Sequence, residues 1–535
     1  MEPLARKKIL LIGTASAASL GLYLWLACRY PLGPSLANPR ASWASQVESN
    51  WMNAAQHLLI YLGLTLAYLA ALRLLAPAQG GHNTLQRYQV PLIIITWLAC
   101  SAALMFASPA GESHDIFDYL FRGRMMTEYQ ANPLVDVPET FGLSIPYTRY
   151  LAWRKNVDTY GPIWEAASYS TASGVRLVAN SLDWWDDSYP VCPKSPESCR
   201  LLMLYVAGYR LLSISLTGLS GWLITSLVRH NHPNLAPMAL AAWLWSPLTL
   251  IATALGGHND TVMLVLTLLG WWLLQRQRPF WAILALILAA HVKLTALIWL
   301  PACALWIVWH YGWKPALKIG LASAISGLAL SWLLYAPFGG WQTLPRMLQE
   351  RSAYLANSIW EIVNYLLIEW GGWSSGRAFQ LSIRLPNWLF GIGALLITLW
   401  MFNFRPKRWR SPPLTSHEAD QSLWRTLAVT SMLYLLIGSF WFQHWYVLWL
   451  LAPAVLLPKS LLTRSMLPWL AFGALSSNMI MSFFLTNKYS TIGTTPPFST
   501  DLLAVGLIWG PILFAFVIFL LSNRWRKCRT PIQTE

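Results

Sequence analysis

Apolar runs recur along almost the whole chain, and most are about long enough to cross a bilayer. They occupy 9–28, 52–76, 89–108, 201–228, 235–255, 260–275, 279–291, 294–310, 315–337, 386–404, 424–441, 445–457, 465–485 and 501–522. In lipid every backbone polar group must be satisfied within the protein, and about 20 residues of helix do this across the hydrocarbon. The expectation is an all-α integral membrane protein, a polytopic bundle of about 12–14 transmembrane helices. Charged residues make up 11% of the chain, against about 25% in soluble domains. The formal charge of +16 does not point to nucleic acid, because the basic residues sit in short loops between apolar runs.

Those basic loops give an orientation. With the amino end inside, alternate loops carry Arg73 and Arg87, Arg229, Arg276 and Arg278, Lys314 and Lys318, then Arg405 to Arg410, Lys459 and Arg464, and Arg524 to Arg529. The alternation holds only if 279–310, about 48 Å as one helix, crosses twice with a turn at His291-Val292-Lys293. The segment 9–28 exceeds a usual signal-peptide core and reads as a retained first helix with a cytoplasmic amino end. Of 22 acids only Glu2, Glu418, Asp420 and Glu535 then lie inside. Acids have little influence on orientation, so their gathering outside points to a working site there.

The expected layout is a single transmembrane domain over 1–522 with a cytoplasmic tail, 523–535. It has a large outer loop (109–200), a second one (338–385) and a basic inner loop (404–422). Ile163-Trp164-Glu165 and Ser358-Ile359-Trp360-Glu361 have the composition of amphipathic helices lying in the interface. Cys192 and Cys199, seven apart outside the cytoplasm, are expected to form a disulfide. A zinc site there lacks two further ligands nearby.

Four polar features then fall on the outer side. Asp115 and Asp118, at i and i+3, project from one helix face beside Tyr119, Arg122 and Arg124. His258, Asn259 and Asp260 open an apolar helix, Lys293 lies between two short crossings, and His444, Trp445 and Tyr446 follow Gln443. Each has a plain alternative: Asp260 as a helix N-terminal charge capped by Asn259, Lys293 snorkelling to headgroups, His444 as a hydrogen-bonded interface residue. Together on one side they suggest chemistry. A carboxylate at a bilayer mouth can take a proton from a hydroxyl attacking a sugar carbon, and Lys293 or the arginines can hold a phosphate leaving group. A metal site from Asp115, Asp118 and His258 is chemically possible, but the spacing does not demand it.

At these residues the chain resembles the GT-C class of membrane glycosyltransferases that use polyprenyl-phosphate sugar donors, closest to prokaryotic polyprenol-phosphate-mannose-dependent mannosyltransferases. Asp115-x-x-x-Tyr119-x-x-x-Gly123-Arg124 with Asn132-Pro133 is similar to that family's first outer-loop motif, and Tyr160-Gly161-Pro162 to its Tyr-(Gly/Pro)-Pro element. His258-Asn259-Asp260, Lys293 and His444-Trp445-Tyr446 complete the resemblance in order. It implies an inverting transfer with a loop-one Asp as base. Asp115 is the matching position and Asp118 falls where the pattern is looser, so the choice between them stays open. Leu134 stands where an aromatic often follows Asn-Pro, and His444 where Pro often precedes Trp-Tyr.

The resulting expectation is transfer of a hexose, mannose first, from a polyprenyl phosphate to an extracytoplasmic glycan, lipid or protein. The plasma (inner) membrane of a prokaryote is the expected location, with no cofactor required and no metal residue assigned. The rival readings are a secondary transporter using Asp118, His258, Asp260 and Lys293, and a structural envelope subunit. A transporter should show related halves and midplane charges; the chain shows no repeat, although Arg210 lies within an apolar run.

Overall fold

The computed structural model describes residues 3–37, 51–76, 86–109, 112–186, 188, 191–192, 199–351, 354–402, 416–484 and 498–529. Most of the expected basic inner loop, 403–415, lies outside the described residues, as do 530–535 of the expected tail. The described chain is helical and polytopic. Eight continuous helices are long and apolar enough to cross a membrane, among them Trp51–Leu75, Arg200–Asn231, Trp313–Phe338 and Ser375–Met401.

A bent pair, Pro233–Leu244 and Pro247–Leu255, brings the number to nine if counted as one span. Its 50° bend falls at Ser246-Pro247, where proline removes a helix hydrogen bond and disfavours helical backbone before it. Asp260–Gln275 and Pro279–Ala290 are shorter apolar helices. The expected crossings in excess of nine are therefore largely short segments. The expected span 386–404 belongs to a longer helix that begins at Ser375.

Burial sorts these helices into an interior and a rim. Every residue of Ala236–Leu244 is buried, as an all-apolar helix in a core requires. Trp313–Tyr335 instead exposes Leu317, Leu321, Ile325, Leu328 and Trp332 along one stripe, and such a stripe carries no penalty against lipid tails. Pro162–Ser181 lies between, burying Trp164, Glu165, Ser168, Ala172 and Val175 while Tyr169 and Leu177 are exposed.

The chain breaks where the basic-loop pattern places a turn. Pro279–Ala290 ends, His291 and Val292 turn, and Leu294 starts the next helical segment. Tyr160-Gly161-Pro162 docks against that turn: Gly161 N–H donates to Val292 O at 3.1 Å, and Ile163 N–H to His291 O at 3.2 Å. Cys192 and Cys199 are joined, their Cα atoms 5.3 Å apart, and Cys192 N–H donates to the Tyr150 hydroxyl at 3.0 Å.

Candidate active site

The helix Asp115–Glu128 organises the site. Its sequence alternates large apolar groups with charges at positions 115, 118 and 122, so one face is polar while Ile116, Phe117, Leu120 and Phe121 pack inward. All three charged residues line one cavity of about 300 Å³. The same cavity is bounded by Glu112, Tyr119, Trp153, Tyr160, Lys293, Trp441, Trp445 and Tyr446. Segments far apart in sequence thus meet at one cavity.

The two carboxylates are held differently. Asp118 accepts backbone N–H bonds from Ala152 at 3.1 Å and Trp153 at 3.0 Å. Asp115 is bonded by the Ser113 side chain and by Trp153 Nε1 at 3.2 Å, and its Oδ2 faces His258 Nδ1 at 3.9 Å. Side chains hold Asp115, whereas backbone amides hold Asp118. Burial raises the pKa of both, and takes Asp118 up to about 7 although Arg122 pulls it down.

Arg122 reaches across the cavity floor. Its Nη2 donates to Asn156 O at 3.2 Å, Nε stands 3.6 Å from Asp158, and Nη1 is buried without a hydrogen-bond partner. Burial opposes its charge, but Asp158 and Asp118 outweigh that and raise its pKa. Lys293 is buried rather than snorkelling. Its ammonium stands 2.6 Å from Asp260 Oδ2 and about equally far from three rings, 5.0 Å from Tyr160, 5.7 Å from Tyr446 and 5.8 Å from Trp449.

Several expected site residues do not border the cavity. Arg124 turns away and is fully buried against Glu128, with Nε 2.9 Å from Oε2, under the ring of Tyr147. Asn132 shapes a turn, its amide nitrogen donating to Phe338 O at 2.8 Å. Asn259 occupies the helix N-cap position, yet its side chain makes no cap bond and faces the Tyr119 hydroxyl at 3.5 Å. Asp260 sits behind Lys293, and His258 and His444 lie behind the wall, His258 stacked on Trp445 with centroids 3.8 Å apart. Both Asp118 oxygens accept from the 152–153 backbone, and among the described residues Asp115, Asp118 and His258 do not converge as a ligand shell.

Sequence reading passed over Glu112, Trp153, Asp158 and Trp441. Glu112 could have been found from its place three residues before Asp115 in an acid-rich loop. Trp153 and Trp441 carry no such signal in a chain with 33 tryptophans. A second, more apolar recess of about 350 Å³ adjoins the cavity, sharing Trp441 and Tyr446 and lined by Leu294, Ile298, Leu348, Ile383, Phe390 and Phe440.

Residues 10–309, more than half of the chain, match the family described as alpha-(1->6)-mannopyranosyltransferase, N-terminal domain. A stretch of 237 residues is 25% identical to the alpha-(1->6)-mannopyranosyltransferase A of Corynebacterium glutamicum, covering 43% of this chain and 41% of that relative. The chain thus matches less than half the length of this relative. Asp115 through Lys293 fall within the family match, and His444 to Tyr446 lie beyond it.

Proposed function

The chain belongs to the alpha-(1->6)-mannopyranosyltransferase family, and from that premise we propose that it is a membrane glycosyltransferase that moves mannose from a polyprenyl-phosphate donor to an acceptor hydroxyl. The observation that carries this reading is the cavity itself. Two buried carboxylates, an arginine with a free buried N–H and a lysine face one space that opens beside an apolar recess. The recess suits a prenyl chain, the cations suit its phosphate, and Trp153, Trp441 and Trp445 offer flat faces to sugar rings.

In this reading the acceptor oxygen attacks the anomeric carbon as the carbon–phosphate oxygen bond breaks, inverting the centre. Asp115 takes the hydroxyl proton, being the carboxylate held by side chains rather than by backbone amides. Asp118 positions the 152–153 backbone and keeps Trp153 against Asp115. Arg122 and Lys293 stabilise the charge that develops on the phosphate, so the reading assigns this role to protein cations and requires no cofactor. The site faces outside the cell, the amino terminus is cytoplasmic, and the membrane is the prokaryotic plasma membrane. The acceptor is an extracytoplasmic glycan, lipid or protein.

The test is sugar transfer from radiolabelled polyprenyl-phosphate mannose in membranes expressing wild type or Asp115→Asn at equal levels. Wild type transfers, and the variant loses on the order of 100-fold or more. Full activity of Asp115→Asn moves the base to Asp118. A wild type silent with mannose, glucose, galactose and arabinose donors and a broad acceptor extract overturns the enzyme reading and leaves the transporter.

A further inference from the structure

Behind the cavity wall three buried side chains converge from three separate segments. Glu112 precedes the Asp115 helix, His258 lies in the turn before Asp260–Gln275, and His444 opens the turn before Val447–Ala454. They are 6%, 0% and 2% exposed. One donor atom from each lies within 4.8 Å of the others, and Glu112 Oε2 stands 2.6 Å from His444 Nε2.

The hydrogen bonding of this cluster is what calls for an explanation. None of the four ring nitrogens of His258 and His444 makes a hydrogen bond, while Glu112 interacts with the Tyr61 hydroxyl. A buried polar atom left unsatisfied is costly, so these four ring nitrogens call for a partner. The close approach of Glu112 to His444 is not aligned as a hydrogen bond. Pairing a protonated His444 with Glu112 would in any case leave both His258 nitrogens without partners. A cation between the three satisfies one atom of each at once.

We propose that Glu112, His258 and His444 bind a divalent transition-metal ion, zinc or a close relative. Two imidazoles and one carboxylate are a zinc-type donor set, whereas calcium and magnesium favour all-oxygen shells. Three protein ligands leave a further position open. The nearest additional carboxylate is Asp115, 3.9 Å from His258 Nδ1. Histidine ligands to metals commonly have a carboxylate beyond them that fixes ring orientation, and Asp115 is placed for that part.

The ion acts as a positioning group. It pins the start of the first long loop to the turns that carry His258 and Trp445, and so sets the part of the wall bearing Asp115 and Trp445. The site stands on its own geometry and does not depend on the mannosyltransferase reading.

The test uses the full chain purified in detergent without added metal, measured by elemental analysis and by thermal unfolding before and after chelator treatment. Wild type retains close to one equivalent of zinc, and stripping lowers the unfolding midpoint, which zinc restores in a saturable titration. His444→Ala and His258→Ala each lose the bound equivalent and the zinc-dependent shift, while His57→Ala, a buried histidine elsewhere, keeps both. Should the histidine variants fail to fold, cobalt loading of stripped wild type gives an independent readout, the ligand-field absorption of a histidine-bound ion. Substoichiometric metal together with no midpoint shift on adding zinc, cobalt or manganese overturns the proposal. Retention of the equivalent by folded His444→Ala and His258→Ala overturns it as well.

Discussion

Lys293 and Asp260, 33 residues apart, form a buried ion pair at 2.6 Å, and the second Asp260 oxygen accepts the indole N–H of Trp449 at 2.7 Å. Removing one member leaves the other charged and buried, which costs about 3–5 kcal/mol, whereas removing both is much less damaging. Lys293→Met and Asp260→Asn should each lower the unfolding midpoint sharply. The double variant should recover much of that loss, with a coupling above about 1 kcal/mol, yet remain inactive in transfer because the cation is gone. Thermal unfolding of the four proteins in one detergent decides this. Simple additivity of the two losses would show that the pair is not a unit.

Gly161 sits directly against the turn that carries Lys293. A methyl group there would collide with the His291 carbonyl, a backbone group that cannot rotate away. Gly161→Ala should therefore push Tyr160-Gly161-Pro162 off the turn, costing about 1–3 kcal/mol as overpacking does, and reduce transfer by roughly tenfold or more through misplaced groups. Gly174→Ala is the control, since nothing lies within 4 Å of the added carbon and the change favours helix by up to about 1 kcal/mol. Equal behaviour of the two variants would remove the docked turn from the account of the site.

The order of apolar runs, the break at His291–Lys293 and the polar cavity-lining residues Asp115, Asp118, Tyr119, Arg122, Tyr160 and Lys293 were legible in the sequence. Each rests on local pattern, because span length and basic loops are one-dimensional quantities. Legibility failed where orientation within the fold decides the outcome. Arg124 belongs to the same polar helix as Arg122, yet two residues of helix turn it by about 200° away from the cavity, where Glu128 receives it. Asn132 and Asp260 likewise belong to recognisable motifs but hold backbone and lysine in place. Trp153 and Trp441 arrive at the cavity only through long-range packing, which no spacing rule encodes.

Asp118 gives a pH dependence with a definite sign. Burial takes its pKa up to about 7 in the folded chain, against about 3.9 unfolded. Between these values the folded state keeps a proton that the unfolded state loses, so the contribution to stability is full below about pH 4 and disappears as pH rises through about 7. Asp118→Asn does not titrate there. The stability of wild type minus that of Asp118→Asn should therefore fall with rising pH, by up to about 4 kcal/mol across the window. Unfolding midpoints of both proteins between about pH 4 and pH 8 test this, and a flat difference would mean that Asp118 is ionised throughout.

Arg210 looks, from sequence, like the charge a transporter would use, but the fold gives it another task. Its Nε donates to Leu255 O at 2.8 Å, and its Nη1 to Met105 O at 2.6 Å and Ala107 O at 2.8 Å. These carbonyls lie at the carboxyl ends of Gln86–Met105 and Ile251–Leu255, where helices leave acceptors unpaired and cations are favoured. The first of these ends leads to Glu112 and Asp115, the second to His258, so one guanidinium fixes the spacing of both approaches to the site. Arg210→Met should strand several buried carbonyls, at about 1–3 kcal/mol for each left unsatisfied, and lower both yield and unfolding midpoint. Arg210→Lys should rescue only part of this, since a point-like ammonium cannot span acceptors that a planar fork reaches together. Full stability of Arg210→Lys would show that charge alone suffices and that the fork geometry is not what holds the two helix ends.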